Sequence, residues 1–125
     1  MDCDNDYNLD LKKTIEFISS ETYLKNNKSY NKKTNKRISA LIVVHVWGNT
    51  IEFYNLKKLC DKKNIKIIED ASESLGSKFD NNKFSGTLGF CGCISFNGNK
   101  IITTGGGGVI LTQNKKIAEK AKHLT

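Results

Sequence analysis

Proline is absent from this chain, tryptophan and methionine occur once each, and Arg37 stands alone beside lysine among the 20 basic residues. Missing proline, set beside abundant Lys, Asn and Ile, points to codon bias in an AT-rich genome. The scarcity of arginine argues against nucleic acid as a partner, because base readers lean on its planar fork for bidentate contacts. No apolar run approaches the length needed to cross a bilayer, so no membrane partner is expected. The opening from Met1 to Asp10 is acidic and polar, unlike a secretory signal or a transit peptide, and a cytoplasmic protein is expected. The four cysteines, Cys3, Cys60, Cys91 and Cys93, lack the CxxC spacing of a zinc site, and no metal is expected. They read as ordinary buried thiols. No internal repeat is present.

What remains is a globular composition. A hydrophobic share of 38% and a charged share of 26% exclude a disordered chain, and 125 residues bound it to one domain with a modest core. The net charge of +7 would help attract a phosphorylated ligand. Lysines cluster with asparagine from Lys25 to Arg37 without apolar periodicity, which predicts a solvated loop.

Leu11, Ile15 and Ile18 at helical spacing after Asp10 predict a short helix over residues 10–20, with Asp10 as N-cap. The β-branched run from Ile38 to His45 predicts a strand buried on both faces. Leu56, Leu59 and Cys60 share a helix face within residues 51–63, and Ile65 to Ile68 follows as a second strand. Strand, helix and strand over about thirty residues make a βαβ unit with parallel strands and a right-handed crossover. Ligands in such sheets bind beyond the carboxyl ends of the strands, where Glu69 and Asp70 lie. A Gly-, Asn- and Ser-rich loop covers residues 72–89. Cys91 to Phe96 reads as a strand, Asn97 to Lys100 as a turn, and Val109 to Thr112 as a last strand. A helical stretch with Ile117, Ala118, Ala121 and Leu124 on one face closes the chain, which stops without a C-cap, as though cut.

Three features converge on one chemistry: Asp70 at a strand's carboxyl end, Lys100 in a turn after another strand, and Gly105 to Gly108 just beyond. A pyridoxal enzyme needs a lysine amine for the cofactor's aldehyde and a carboxylate against its pyridine nitrogen. Small residues beside the lysine let a cofactor approach the backbone. The tetraglycine lacks the Lys-Ser or Lys-Thr of a phosphate loop and the spacing of a dinucleotide fingerprint. Composition and spacing alone go no further than an α/β domain with a small-molecule site.

Longer strings go further. Glu69-Asp-Ala-Ser-Glu-Ser-Leu-Gly76, Gly86-Thr-Leu-Gly89 and Ser95-Phe-Asn-Gly-Asn-Lys-Ile-Ile-Thr-Thr-Gly-Gly-Gly-Gly108 follow in order at close spacing. With Val44-His-Val-Trp-Gly48 and Ile65-Lys-Ile-Ile-Glu-Asp70 upstream, they resemble the DegT/DnrJ/EryC1/StrS family of sugar aminotransferases, of the fold-type-I pyridoxal class. The subgroup most similar aminates C4 of a 4-keto-6-deoxy sugar nucleotide, for sugars of the bacillosamine or legionaminic-acid type.

The resemblance implies an α/β fold: a three-layer, mostly parallel sheet forming part of the family's large domain across residues 1–125. It implies pyridoxal 5'-phosphate as cofactor, glutamate as amino donor, a sugar-nucleotide acceptor and a homodimer for the complete enzyme. Lys100 matches the lysine that bonds the cofactor's aldehyde and shuttles a proton between cofactor and substrate carbons. Asp70 matches the carboxylate that pairs with the pyridinium nitrogen. Glu73 matches a position, often Gln, on the side of the cofactor's phenolic oxygen, and Ser95 matches a hydroxyl that bonds the phosphate. His45 lies in a strand-end motif and carries no assigned role. The family's Gly-Glu-Gly-Gly is Gly105 to Gly108 here, Phe90 replaces a common Asp, and Val43 a common Pro. The family's N-terminal phosphate-binding part, with its ring-stacking aromatic, and its C-terminal small domain have no counterpart. Two other readings stand beside this one: a non-catalytic remnant of such an enzyme, and a basic nucleic-acid-binding domain.

Overall fold

Asp10 begins the first helix by accepting the Lys13 N–H at 2.9 Å, and α1 follows over Leu11–Ser20. This computed structural model describes residues 2–124. The chain continues through β1 (Thr22–Lys25), β2 (Lys28–Asn31), β3 (Arg37–Ile38) and β4 (Ala40–Val44), a 3-10 turn over Val46–Gly48, and α2 (Tyr54–Lys62). Then come β5 (Lys66–Asp70), β6 (Cys91–Ser95), β7 (Gly108–Leu111) and α3 (Lys115–Leu124).

The lysine-rich stretch is not the solvated loop expected of it. β1, β2 and β3 form a three-stranded antiparallel sheet, with Tyr23 opposite Tyr30 and their rings stacked at 5.5 Å. Asn26 and Asn27 turn the hairpin with φ of 49° and 57°, the double left-handed conformation that a two-residue hairpin turn requires and asparagine tolerates. A hairpin this polar carries no apolar alternation, which is why its strands escape a reading by hydrophobic pattern.

The second sheet has the order β4-β5-β6-β7. β4 and β5 pair in parallel, as do β5 and β6, while β7 returns antiparallel to β6. The βαβ unit is therefore as expected, and the sheet is mostly parallel. Strand alternation sends Val43, Ile67 and Ile94 to one face, where they are buried. Val43 and Ile67 join Phe53, Leu56 and Cys60, on or beside α2, and Ile18 of α1 in the core. Each such side chain contributes about 1.5–3 kcal/mol by leaving water.

The other face of β4 is not buried as its apolar run suggested. Ile42 is 59% exposed and Val44 41%, because α1 and α2 both cover the Val43 side and nothing among the described residues covers theirs. α3 approaches only at the far edge, where Ala118 and Ala121 border a cavity with Cys93 and Ile110. The thiols divide in the same way. Cys60 is buried, Cys91 and Cys93 are half-buried on the open face, and Cys3 is exposed, so buried thiols describe only one of the four. Burial pushes the Cys60 thiol up to about 11, and Cys91 and Cys93 are raised by burial first, then by their neighbours. None of these three has the character of a nucleophilic thiolate.

Two glycines, Gly92 in β6 and Gly86 in the loop, set the spacing between the sheet and the 72–89 loop. A Cβ on Gly92 would overlap the backbone of Gly86, which itself sits at a φ of 82°. Gly92→Ala is expected to cost about 3 kcal/mol of stability in urea denaturation, because neither backbone has room to yield.

Candidate active site

The carboxyl ends of β4, β5 and β6 gather at one edge of the sheet, and the residues singled out by the sequence meet there. Glu69 and Asp70 end β5 side by side, so alternation sends their side chains to opposite faces. Asp70 faces the open side, in register with Cys93 and one strand-step from Ser95 on the same face. Its Oδ1 accepts the Ser72 N–H at 3.1 Å and the Ser72 hydroxyl at 2.5 Å. Among the described residues no protein donor reaches Oδ2.

Lys100 is positioned by the loop that joins β6 to β7. Its N–H closes a turn on the Asn97 carbonyl at 3.0 Å, and Thr103 and Thr104 both bond the Phe96 carbonyl, so the loop folds back on its own start. The glycines make this return possible: Gly105 and Gly107 take φ of 84° and 83°. The Lys100 side chain is 16% exposed, and its Nζ meets Glu73 Oε1 at 3.2 Å. The other Glu73 oxygen accepts the Trp47 N–H at 3.2 Å. One carboxylate thus ties together the turn after β4, the loop after β5 and the loop after β6.

Lys100, Glu73 and Ser95 line a common cavity of about 240 Å³ with Ser72 and Trp47. Asp70 does not line it and enters through Ser72. The Ser95 hydroxyl oxygen accepts the Asn97 N–H at 3.3 Å, which leaves its hydrogen uncommitted. A larger cavity of about 740 Å³ opens elsewhere, between the 86–90 loop and residues 110–114. Its only titratable side chain is Lys57, so it lacks the amine and acid pairing that chemistry requires.

Glu69 marks the end of β5, and its role lies on the covered face. It is fully buried. Oε1 accepts the N–H groups of Leu88 at 2.7 Å and Gly89 at 2.5 Å, and Oε2 accepts Gly86 N–H at 2.8 Å and His45 Nε2 at 3.0 Å. Burial pushes its carboxyl up, but His45 and the Gly89 and Gly86 N–H groups outweigh burial and hold it below the ordinary value. His45 is buried as well, clustered with the rings of Phe53 and Phe79. Its hydrogen bond to Glu69 makes it a structural histidine on the core side, away from the Lys100 cavity. A buried carboxylate needs partners, and a glutamate on the inward parity of a core strand is the signal that would have found this anchor.

Trp47 and Ser72 line the Lys100 cavity without a sequence signal that points to them. Trp47 has a φ of 53° and a ψ of 27°, rare for a bulky residue and costing about 1–3 kcal/mol. No sequence pattern announces that conformation.

Comparison with known proteins matches residues 7–125 to the DegT/DnrJ/EryC1/StrS aminotransferase family. The chain belongs to that family. A putative pyridoxal phosphate-dependent aminotransferase, EpsN of Bacillus subtilis, is 45% identical over 85 residues, 68% of this chain and 22% of that protein. The GDP-perosamine synthase of Escherichia coli O157:H7 is 33% identical over 86% of this chain and 30% of its own length. A family aminotransferase from Brucella abortus superposes with a TM-score of 0.81 at 25% identity, covering 98% of this chain and 31% of that one. The chain therefore spans between a fifth and a third of these relatives. Its fold is a partial α/β domain of the fold-type-I aminotransferase kind, with the mostly parallel sheet that was expected.

Proposed function

We propose that this chain carries the cofactor-bonding part of a pyridoxal 5'-phosphate-dependent aminotransferase that moves an amino group from glutamate to a 4-keto-6-deoxy sugar nucleotide. The observation that carries this is the meeting of Lys100, Glu73 and Ser95 on one cavity, with Asp70 hydrogen-bonded to Ser72 of its lining.

The residues fit the cofactor. Lys100 offers an amine that is screened from bulk water yet borders a cavity, as a carbonyl-bonding lysine requires. Asp70 has one oxygen fixed by Ser72 and the other without a protein donor, a carboxylate suited to a ring nitrogen. Ser95 keeps its hydroxyl hydrogen and would offer it to a phosphate oxygen, and Glu73, beside Lys100, would face the group's phenolic oxygen. When bound, the cofactor supplies an electron sink for charge left on the amino-bearing carbon. Asp70 holds a proton at the ring nitrogen by its negative charge. Lys100 would hold the group through its aldehyde carbon, and its Nζ is the base that would carry a proton there. Glu73 keeps that amine near the cavity throughout.

The relatives support the substrate class: a GDP-perosamine synthase and a UDP-4-amino-4,6-dideoxy-N-acetyl-beta-L-altrosamine transaminase are among them. The reading carries with it a cytoplasmic location and a homodimer for the complete enzyme. No helix among the described residues is long and apolar enough to cross a membrane.

The test is an absorption titration of the chain with pyridoxal phosphate. A saturable visible band that glutamate bleaches is expected. A chain that leaves the cofactor's spectrum unchanged contradicts the proposal and favours a non-catalytic remnant. Asp70→Asn is expected to weaken cofactor binding about tenfold, the worth of one charge-assisted hydrogen bond.

A further inference from the structure

Two large aromatic side chains stand in solvent beside the Lys100 cavity. Trp47 is 75% exposed and Tyr7 65%, with their rings edge-to-face at 5.6 Å and an interplanar angle of 63°. Both residues sit at positive φ, 53° for Trp47 and 62° for Tyr7. Exposed rings recover little by burial, so packing does not offset this backbone strain, and strain of that kind gathers at binding sites. The arrangement is held from several sides. Glu73 accepts the Trp47 N–H at 3.2 Å, and buried Asn8 accepts the Val46 N–H at 3.1 Å through Oδ1. The second bond draws the N-terminal loop onto the turn after β4 and brings Tyr7 to Trp47.

We propose that Trp47, backed by Tyr7, is a stacking platform for the pyranose ring of the sugar-nucleotide substrate. This rests on reading the Lys100 cavity as the cofactor and substrate site. Trp47 and Lys100 line the same cavity of about 240 Å³. The sugar's reacting carbon has to come to the Lys100 end, whereas the base is separated from it by a ribose and a diphosphate. The part of the substrate that shares a small cavity with both residues is therefore the sugar ring. Its C–H face is apolar and flat enough to lie on an indole. Ile101, 81% exposed and lining the same cavity, offers a contact for the methyl group of a 6-deoxy sugar.

Trp47 is the chain's one tryptophan, so its intrinsic fluorescence reports on this site alone. The chain is titrated with UDP-N-acetylglucosamine, GDP-fucose and dTDP-rhamnose, and with UDP, GDP and dTDP. The expected result is a saturable change in emission with at least one sugar nucleotide and none with its free nucleoside diphosphate. By calorimetry, Trp47→Gly should lower affinity for that sugar nucleotide about tenfold, and Trp47→Phe should keep it within about twofold. Tm should not fall in Trp47→Gly, because glycine takes the positive φ freely. An equal response to the nucleoside diphosphate, silence with all three sugar nucleotides, or Tm and affinity falling together would overturn the platform. Cofactor attached to Lys100 beside a silent Trp47 sinks the platform and leaves the cofactor reading standing. Sugar nucleotide bound at Trp47 with no cofactor at Lys100 does the reverse.

Discussion

Glu69→Ala is expected to cost about 3–5 kcal/mol of folding stability, read as a lower urea midpoint at pH 7. The side chain is fully buried and accepts four hydrogen bonds, three of them from the backbone of the Gly86–Gly89 loop. Removing it strands three N–H groups out of reach of water. It also leaves His45 with neither ring nitrogen partnered, since Nδ1 already lacks one. Each orphaned group costs its own desolvation penalty. Glu69→Gln should fall between, because an amide keeps one acceptor and adds a donor where none is wanted.

The same carboxylate sets an acid limit. Its folded pKa lies below the unfolded value of about 4.5, so the stability it contributes is fully present above pH 4.5. That contribution is lost as pH falls from there through the folded value. The wild-type chain should therefore lose stability across this acid window, and Glu69→Gln should lose less over the same range. Equal slopes for the two would mean that Glu69 is not the titrating anchor.

Lys100→Ala is expected to abolish the saturable, glutamate-bleached band, leaving the spectrum of free pyridoxal phosphate and its weak imines with surface lysines. Lys100→Arg should fail as fully, because a guanidinium keeps the charge but has no free amine to bond a carbonyl. Neither change should unfold the chain. The pair with Glu73 is part-exposed on the carboxylate side, 42%, and such pairs contribute less than about 1 kcal/mol. Glu73 would still hold the Trp47 N–H, so the loop arrangement should survive. A variant with an unchanged urea midpoint and a lost band separates chemistry from folding. A band that persists in Lys100→Ala places the bonding amine on another lysine.

Much of this architecture was legible because its determinants are local. Asp10 caps α1, the β-branched run from Ile38 onward marks the sheet, and the spacing of Leu56 and Cys60 orients α2. The hairpin of β1 and β2 was not, since its signal is the backbone conformation of Asn26 and Asn27 rather than any apolar pattern. The open face of Ile42 and Val44 is not legible for another reason: an apolar run does not reveal which of its faces the neighbouring helices cover. In the site, Lys100, Asp70, Glu73 and Ser95 come from matched strings, and the cavity brings three of them together with Asp70 linked to it through Ser72. The bridging of Lys100 and Trp47 by Glu73 was invisible, because it depends on three loops whose meeting only tertiary structure decides. Strand parity could have separated Glu69 from Asp70, since neighbours on a strand face opposite ways and one of them had to be buried.

The most direct test of the central claim is chemical. The chain is mixed with pyridoxal phosphate, reduced with borohydride, digested and mapped by mass spectrometry. Cofactor fixed to the peptide carrying Lys100, and to no other of the chain's many lysines at comparable yield, is the expected result. Label spread over the surface lysines, or concentrated on a lysine outside the Glu73 contact, would contradict it.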